Sequence, residues 1–229
     1  MDNKLDISFL FSDPQKTKIA NLYIIPLTPL SIVKSLPGSF YKTEKVPDKF
    51  VLCGLFENII GLHIDEKMRK DIRKKMEKIL KKEYKYKIEK ITSNVGYVPV
   101  VNNHFEIDNP VVIPNLKFYS DMWTQHVIGE DSRHLDGAVN YSWKLEKDII
   151  HLQERTEKSK YFKENRGKFP EYYRTMQKRE FIITEGIYIF KLKINEDFYE
   201  KLNNAIKINN NGYLGTSEGW VDLSLEEVQ

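Results

Sequence analysis

Residues 181–227, FIITEGIYIFKLKINEDFYEKLNNAIKINNNGYLGTSEGWVDLSLEE, carry the clearest pattern in the chain. Within residues 181–194, Tyr188, Phe190, Leu192 and Ile194 alternate with Ile187, Ile189, Lys191 and Lys193, the period of a strand with one face buried. Asn195 is an N-cap for a helix whose apolar face is Phe198, Leu202, Ala205 and Ile206. Asn209-Asn210-Asn211-Gly212 is a turn. Residues 220–225 then place Val221, Leu223 and Leu225 on one face of a second strand. The order is strand, helix, strand.

The same order recurs upstream. Residues 19–27 (IANLYIIPL) read as a buried strand that ends at Pro26 and Pro29. Leu36-Pro37-Gly38-Ser39 is a turn, and Asp48 caps a helix running to about Ile60. Its stripe is Val51, Leu52, Leu55, Phe56 and Ile59, and Gly61 stands at its C′ position. Gly54 lies mid-helix, at a cost of about 1 kcal/mol against Ala, which suits close approach of a backbone or a ligand. A second helix spans 65–83, with Met68, Ile72, Met76, Ile79 and Leu80 as its buried edge. Strand candidates follow at 86–91, 97–101 and 111–113. The pattern β-α-β…β-α-β predicts an α+β class, with a ferredoxin-like (RRM/RAMP-type) core over about 17–113 and 181–227. Residues 114–180 mix aromatic and basic residues without clean periodicity. They read as an arm or thumb insertion in a single domain, with an amphipathic helix near 144–156.

Composition narrows the function classes. The chain has 229 residues, 30% charged and 41% hydrophobic, enough to bury a core. No run of 18 apolar residues occurs, and the polar start Met1-Asp2-Asn3-Lys4 lacks a secretion signal. Cys53 is the single cysteine, which excludes an internal disulfide and a Cys-cluster metal site and fits the cytoplasm. His63, His104, His126, His134 and His151 lack metal-ligand spacing, and no phosphate-binding P-loop or nucleophile elbow is present. No cofactor or metal is expected. The net charge is only +3. Residues 65–90, however, hold twelve Lys/Arg against six Asp/Glu, and 152–180 hold nine against five. Basic segments on a near-neutral body suit a polyanion, although a lysine-rich helix is also an ordinary solvated face.

Two short segments have the residue types of a nucleic-acid contact. Gly212-Tyr-Leu-Gly215-Thr-Ser-Glu-Gly219-Trp220 places three glycines near backbone N–H groups and the Thr216 and Ser217 hydroxyls, an arrangement that suits an anion, or else a plain connector. Ser39-Phe-Tyr41-Lys42-Thr-Glu-Lys45 sets an aromatic ring and two lysines before a helix N-terminus.

Both segments fall within the motifs of one family. PLTPLSIVKSLPGSFYKTEKVPDKFVLCGLFENIIGLHI (26–64), with Gly54, Leu55 and Gly61 at its marked positions, resembles the N-terminal signature of the fifth CRISPR-associated protein family of the RAMP superfamily. YLGTSEGWVDLSLEE (213–227) resembles that family's C-terminal Gly-rich turn. The resemblance implies a non-catalytic, RNA-binding subunit of a type I CRISPR Cascade complex in antiviral defence. Such a subunit binds the 5′ handle of the CRISPR RNA (crRNA), touches the first backbone subunit and the large subunit, and meets target DNA only through the complex, with no membrane partner. It carries RNA contact onto Tyr41, Lys42, Lys45, Gly215, Thr216, Ser217 and Trp220. Charge and location in the arm add Arg133, His134, Lys178 and Arg179. One branch of the family cuts precursor crRNA with a Tyr, a Lys and a His. Tyr41 can stand in for the Tyr, but Lys precedes none of the five histidines, so a metal-independent endoribonuclease is the alternative reading. A handle-binding subunit of a type III complex is another.

Overall fold

Alternation in the strands and 3.6-residue periodicity in the helices build the core of this chain. The computed structural model describes residues 6–33, 40–89, 97–128, 151–152, 154–168 and 172–228. Arg133, His134, the 36–39 turn and most of the expected 144–156 helix lie outside them. The strands are β1 (Lys18–Pro26), β2 (Phe40–Tyr41), β3 (Phe105–Ile107), β4 (Asn115–Ile128), β5 (Tyr172–Glu185), β6 (Tyr188–Ile194), β7 (Asn211–Tyr213) and β8 (Trp220–Glu227). The helices are α1 (Lys49–Ile59), α2 (Glu66–Glu83), α3 (Arg155–Glu164) and α4 (Glu196–Ile208).

The main sheet has the order β3-β6-β1-β8-β7, and a second sheet has the order β2-β5-β4. The pairs β3–β6, β6–β1 and β1–β8 are all antiparallel. Reading β1-α1-β3 and β6-α4-β8 as the two βαβ halves, the core is an antiparallel four-stranded sheet with the halves interleaved, which is the ferredoxin-like arrangement. The fold class is therefore α+β with a ferredoxin-like core.

Register follows the apolar pattern. Leu22 lies between Phe190 and Leu225, and Ile24 between Tyr188 and Leu223, so one sheet face is continuously apolar. α1 and α4 cover this face with Leu52, Leu55 and Phe56 and with Phe198 and Leu202, all buried. Phe56 packs edge-on against Phe105 with ring centroids 4.9 Å apart. α1 also crosses β7 at Gly212, where a Cβ would stand 2.8 Å from a Leu55 methyl. The close-approach glycine is thus Gly212. At Gly54 the nearest neighbour of a Cβ would be the Tyr97 hydroxyl at 4.0 Å.

Capping was correctly legible in the sequence. Asp48 Oδ1 accepts from Val51 N at 3.0 Å and Asn195 Oδ1 from Phe198 N at 2.9 Å, and the structure adds Asp65, whose Oδ1 accepts from Met68 N at 2.7 Å. The strand candidates of the middle region were not. Residues 86–89 and 97–101 are irregular, and Val112 makes a single bridge to Ile189, while the pairing strand is β3. The 181–194 stretch is two strands, β5 and β6, broken at Gly186 with φ +115°. The 155–164 helix begins near the end of the expected one.

By compactness the chain divides into one unit of residues 1–37, 41–120 and 180–229 and another of 38–40 and 121–179. The ferredoxin-like core lies in the first, and α3 in the second. No helix among the described residues is long and apolar enough to cross a membrane.

Candidate nucleic-acid interface

The Gly-rich turn joins β7 to β8 and folds onto itself. Leu214 N donates to Gly219 O at 2.8 Å and Gly219 N to Thr216 O at 3.0 Å. Thr28 Oγ1 donates to Glu218 O at 2.7 Å and accepts from Trp220 N at 2.8 Å. Gly215 has φ +84°, and a Cβ there would lie 2.4 Å from the Ser31 carbonyl oxygen. No other residue fits both constraints. Thr216 N donates to that same Ser31 oxygen at 3.2 Å. The turn's N–H groups at Leu214, Thr216, Gly219 and Trp220 are therefore spent inside the protein, and they do not converge on an anion as the glycine spacing suggested. The Ser217 side chain is exposed. The Thr216 hydroxyl is buried, with no hydrogen-bond partner among the described residues.

The loop before α1 reaches the same short segment. Thr43 Oγ1 accepts from Ile32 N at 2.8 Å, and Glu44 N donates to Ile32 O at 2.8 Å. Ser31 Oγ donates to Glu180 O at 3.0 Å, and Thr43 N donates to the Glu180 carboxylate at 3.0 Å. Residues 30–32 thus form a seam with the Gly-rich turn on one side and the Tyr41–Lys45 loop on the other. This seam unites the two sequence segments singled out above. Tyr188 locks the far end of the loop by donating to Lys45 O at 3.0 Å, and burial pushes its phenol up to about 12, so it remains a donor. With the backbone held this way, the side chains of Lys42 and Lys45 are exposed and Tyr41 is half-buried.

Beside the turn lies an open groove of about 750 Å³, between α1, the 62–64 segment, Tyr97, Tyr213 and residues 215–217. Gly54 contributes its bare backbone to the wall. Its floor is an ionic network. Glu57 is buried, and its carboxylate accepts from Val100 N at 2.7 Å, Val101 N at 3.3 Å, the Tyr97 hydroxyl at 2.8 Å and Arg69. Arg69 also donates to Ile64 O at 3.1 Å and Leu62 O at 3.0 Å, and lies 5.0 Å from the Tyr97 ring centre. Both oxygens of this buried carboxylate thus have hydrogen-bond donors. Burial and the Glu57 charge hold the Tyr97 phenol well above its usual range, so it donates and does not act as a base. The sequence reading missed Glu57, Arg69 and Tyr97. One signal was present: Glu57 is the one acidic residue within the α1 sequence KFVLCGLFENI.

Trp220 is exposed at the start of β8, its ring centroid 4.2 Å from that of Tyr213. In the second unit, Lys178 Nζ lies 5.4 Å from the Phe40 ring centre, and Arg179 is half-buried. Cys53 is fully buried with its thiol pushed well up by desolvation, which suits a small core hydrophobe. Among the described residues no group of three His, Cys, Asp or Glu side chains is placed to hold a metal ion.

The family model for CRISPR-associated protein Cas5p matches residues 5–225. No curated protein matches. Among solved structures, a chain of type III-B Cmr-beta bound to cognate target RNA and AMPPnP is similar at 13% identity and a TM-score of 0.35 over 91% of this chain. A second such chain, from Cmr-beta bound to cognate target RNA, gives 13% and 0.34. This chain spans 64% of the length of each.

Proposed function

Because the chain belongs to the CRISPR-associated Cas5p family, we propose that it is a non-catalytic, cytoplasmic subunit of a type I Cascade complex that holds the 5′ handle of the crRNA. The carrying observation is the seam at residues 30–32, which fixes the Gly-rich turn and the Tyr41–Lys45 loop against one another. Rigid backbone there presents Lys42 and Lys45 as phosphate contacts, with Tyr41 beside them for stacking. Ser217 and the groove by Tyr213 offer a polar and a stacking surface for splayed bases. In this reading the subunit recognises handle shape and phosphate charge, while base pairing reads the target. The backbone subunit and the large subunit are its protein partners, and it meets target DNA through them.

The test is co-purification from the native host followed by sequencing of bound RNA. Short RNAs sharing one 5′ end, together with type I backbone and large subunits, are expected. Recovery of a type III partner set would move the subunit to that class, and absence of RNA would remove the proposal. Purified protein incubated with precursor crRNA, with and without Mg²⁺, is expected to leave it intact. Site-specific cleavage lost in Tyr41→Phe would establish the endoribonuclease instead.

A further inference from the structure

α2 carries seven lysines and two arginines against four acidic residues, and the two kinds of cation are sorted by direction. The arginines face inward. Arg69 binds Glu57 and the Leu62 and Ile64 carbonyls, and Arg73 binds the Pro99 and Glu89 carbonyls. All seven lysines, from Lys67 to Lys82, are exposed, and of these Lys75 Nζ lies 5.1 Å from the Phe11 ring centre. At 3.6 residues per turn, Lys67, Lys70, Lys74, Lys78 and Lys81 fall within an arc of about 80° and form a row about 21 Å long. Such a row spans about six phosphates of one strand.

A helix face kept only for solubility gains from alternating Glu and Lys at i,i+4. Here Lys70–Lys74, Lys74–Lys78 and Lys78–Lys82 are three successive like-charge steps, each mildly unfavourable to the helix. Lys70 pairs with Glu66 and Lys74 with Asp71 at 3.8 Å, both exposed pairs of little strength. α4 of the same chain has the mixed composition of a plain solvated face, three acidic residues to two lysines. The inward arginines brace the row against the body, so it is presented as a rigid edge. Protein interfaces are depleted in lysine and built around apolar anchors, whereas phosphate backbones are met by lysine rows with no apolar requirement.

We infer that the lysine row of α2 is a docking surface for the phosphate backbone of a nucleic-acid strand, bound for its charge and not for its sequence. It is independent of the handle reading and stands on the helix alone. Single-stranded and duplex DNA share the recognised chemistry, and the experiment separates them. Binding of fluorescein-labelled, mixed-sequence 20-nucleotide single-stranded DNA and 20-base-pair duplex DNA is measured over a salt series. The full chain is compared with Lys74→Glu/Lys78→Glu and with Lys193→Glu/Lys207→Glu, which makes the same charge change on exposed lysines elsewhere. Circular dichroism checks folding. The α2 pair is expected to weaken at least one probe about tenfold and to flatten its log–log salt slope by about 1.4 for single strand or 1.8 for duplex. The control pair is expected to change affinity less than about threefold, as screening beyond a Debye length allows. Equal losses in both pairs, or no binding of either DNA by the unaltered chain, would overturn the inference. So would binding of poly-L-glutamate without DNA, which would assign an acidic protein partner.

Discussion

Gly215 is held by two independent constraints, a left-handed φ of +84° and a Ser31 oxygen 2.4 Å from where a Cβ would stand. Gly215→Val is therefore expected to spread the seam between the Gly-rich turn and residues 30–32, and crRNA co-purifying with the complex should drop to background. Gly61, also at positive φ but with open space around it, is the control: Gly61→Ala should cost about 1 kcal/mol and leave bound RNA unchanged. Unaltered RNA retention in Gly215→Val would reduce the turn to a connector. Glycine spacing made the turn visible in the sequence, but which atom Gly215 meets depends on a segment 184 residues away in the chain, beyond any local pattern. His104 makes the same point for titration. Burial brings its imidazole down to about 4, with Lys16 adding to the effect and the Leu10 carbonyl and Asp197 opposing it. The unfolded chain takes up this proton near 6.5 and the folded chain only near 4, so stability falls as pH drops through that window, by about 3 kcal/mol in all. Urea unfolding at pH 7 and pH 4.5 tests this. The difference between the two pH values should shrink in His104→Leu, whatever that variant's absolute stability.

At the scale of elements, one carboxylate organises α1, the first turn of α2 and the irregular 97–101 segment. Glu57 sits on the buried side of α1 because Arg69, Tyr97 and two backbone amides meet it there. Arg69→Met leaves that carboxylate buried without its counter-charge and is expected to cost about 3 kcal/mol in chemical denaturation. Tyr97→Phe should cost about 1 kcal/mol. Glu57→Met/Arg69→Met should recover much of the loss, because no charge is then left unpaired. Additive losses in the double variant would mean the two side chains act separately. This network also explains why residues 97–101 read as a strand and are not one. Their β-prone residues are apolar because Val100 and Val101 are buried, but their N–H groups go to a carboxylate and not to a ladder. β1, α1, β6, α4 and β8 were legible because their periodicity and caps are local. β3 was hidden because three residues, Phe105–Ile107, are too few to show a period.

Among the described residues, two groups of exposed lysines stand on different elements. The loop lysines, Lys42 and Lys45, lie on a backbone pinned at Ile32 and Tyr188, while the α2 lysines form a row on a helix braced by arginines. Net charge alone would treat Lys42→Glu/Lys45→Glu and Lys74→Glu/Lys78→Glu as the same change. A molecule with two separate contacts should not. The loop variant is expected to lose crRNA handle affinity about tenfold, since like charge then faces the phosphates, while its affinity for mixed-sequence DNA holds. The helix variant should show the reverse, keeping handle affinity within about threefold while losing DNA. Measuring both ligands on both variants at one ionic strength gives four affinities. If the helix variant also loses the handle more than the loop variant does, the guide RNA runs along α2 and the loop is only structural. If the loop variant loses DNA as well, the two basic regions form one continuous track. The opposite-sign pattern follows only if position, and not total charge, decides which nucleic acid is held where.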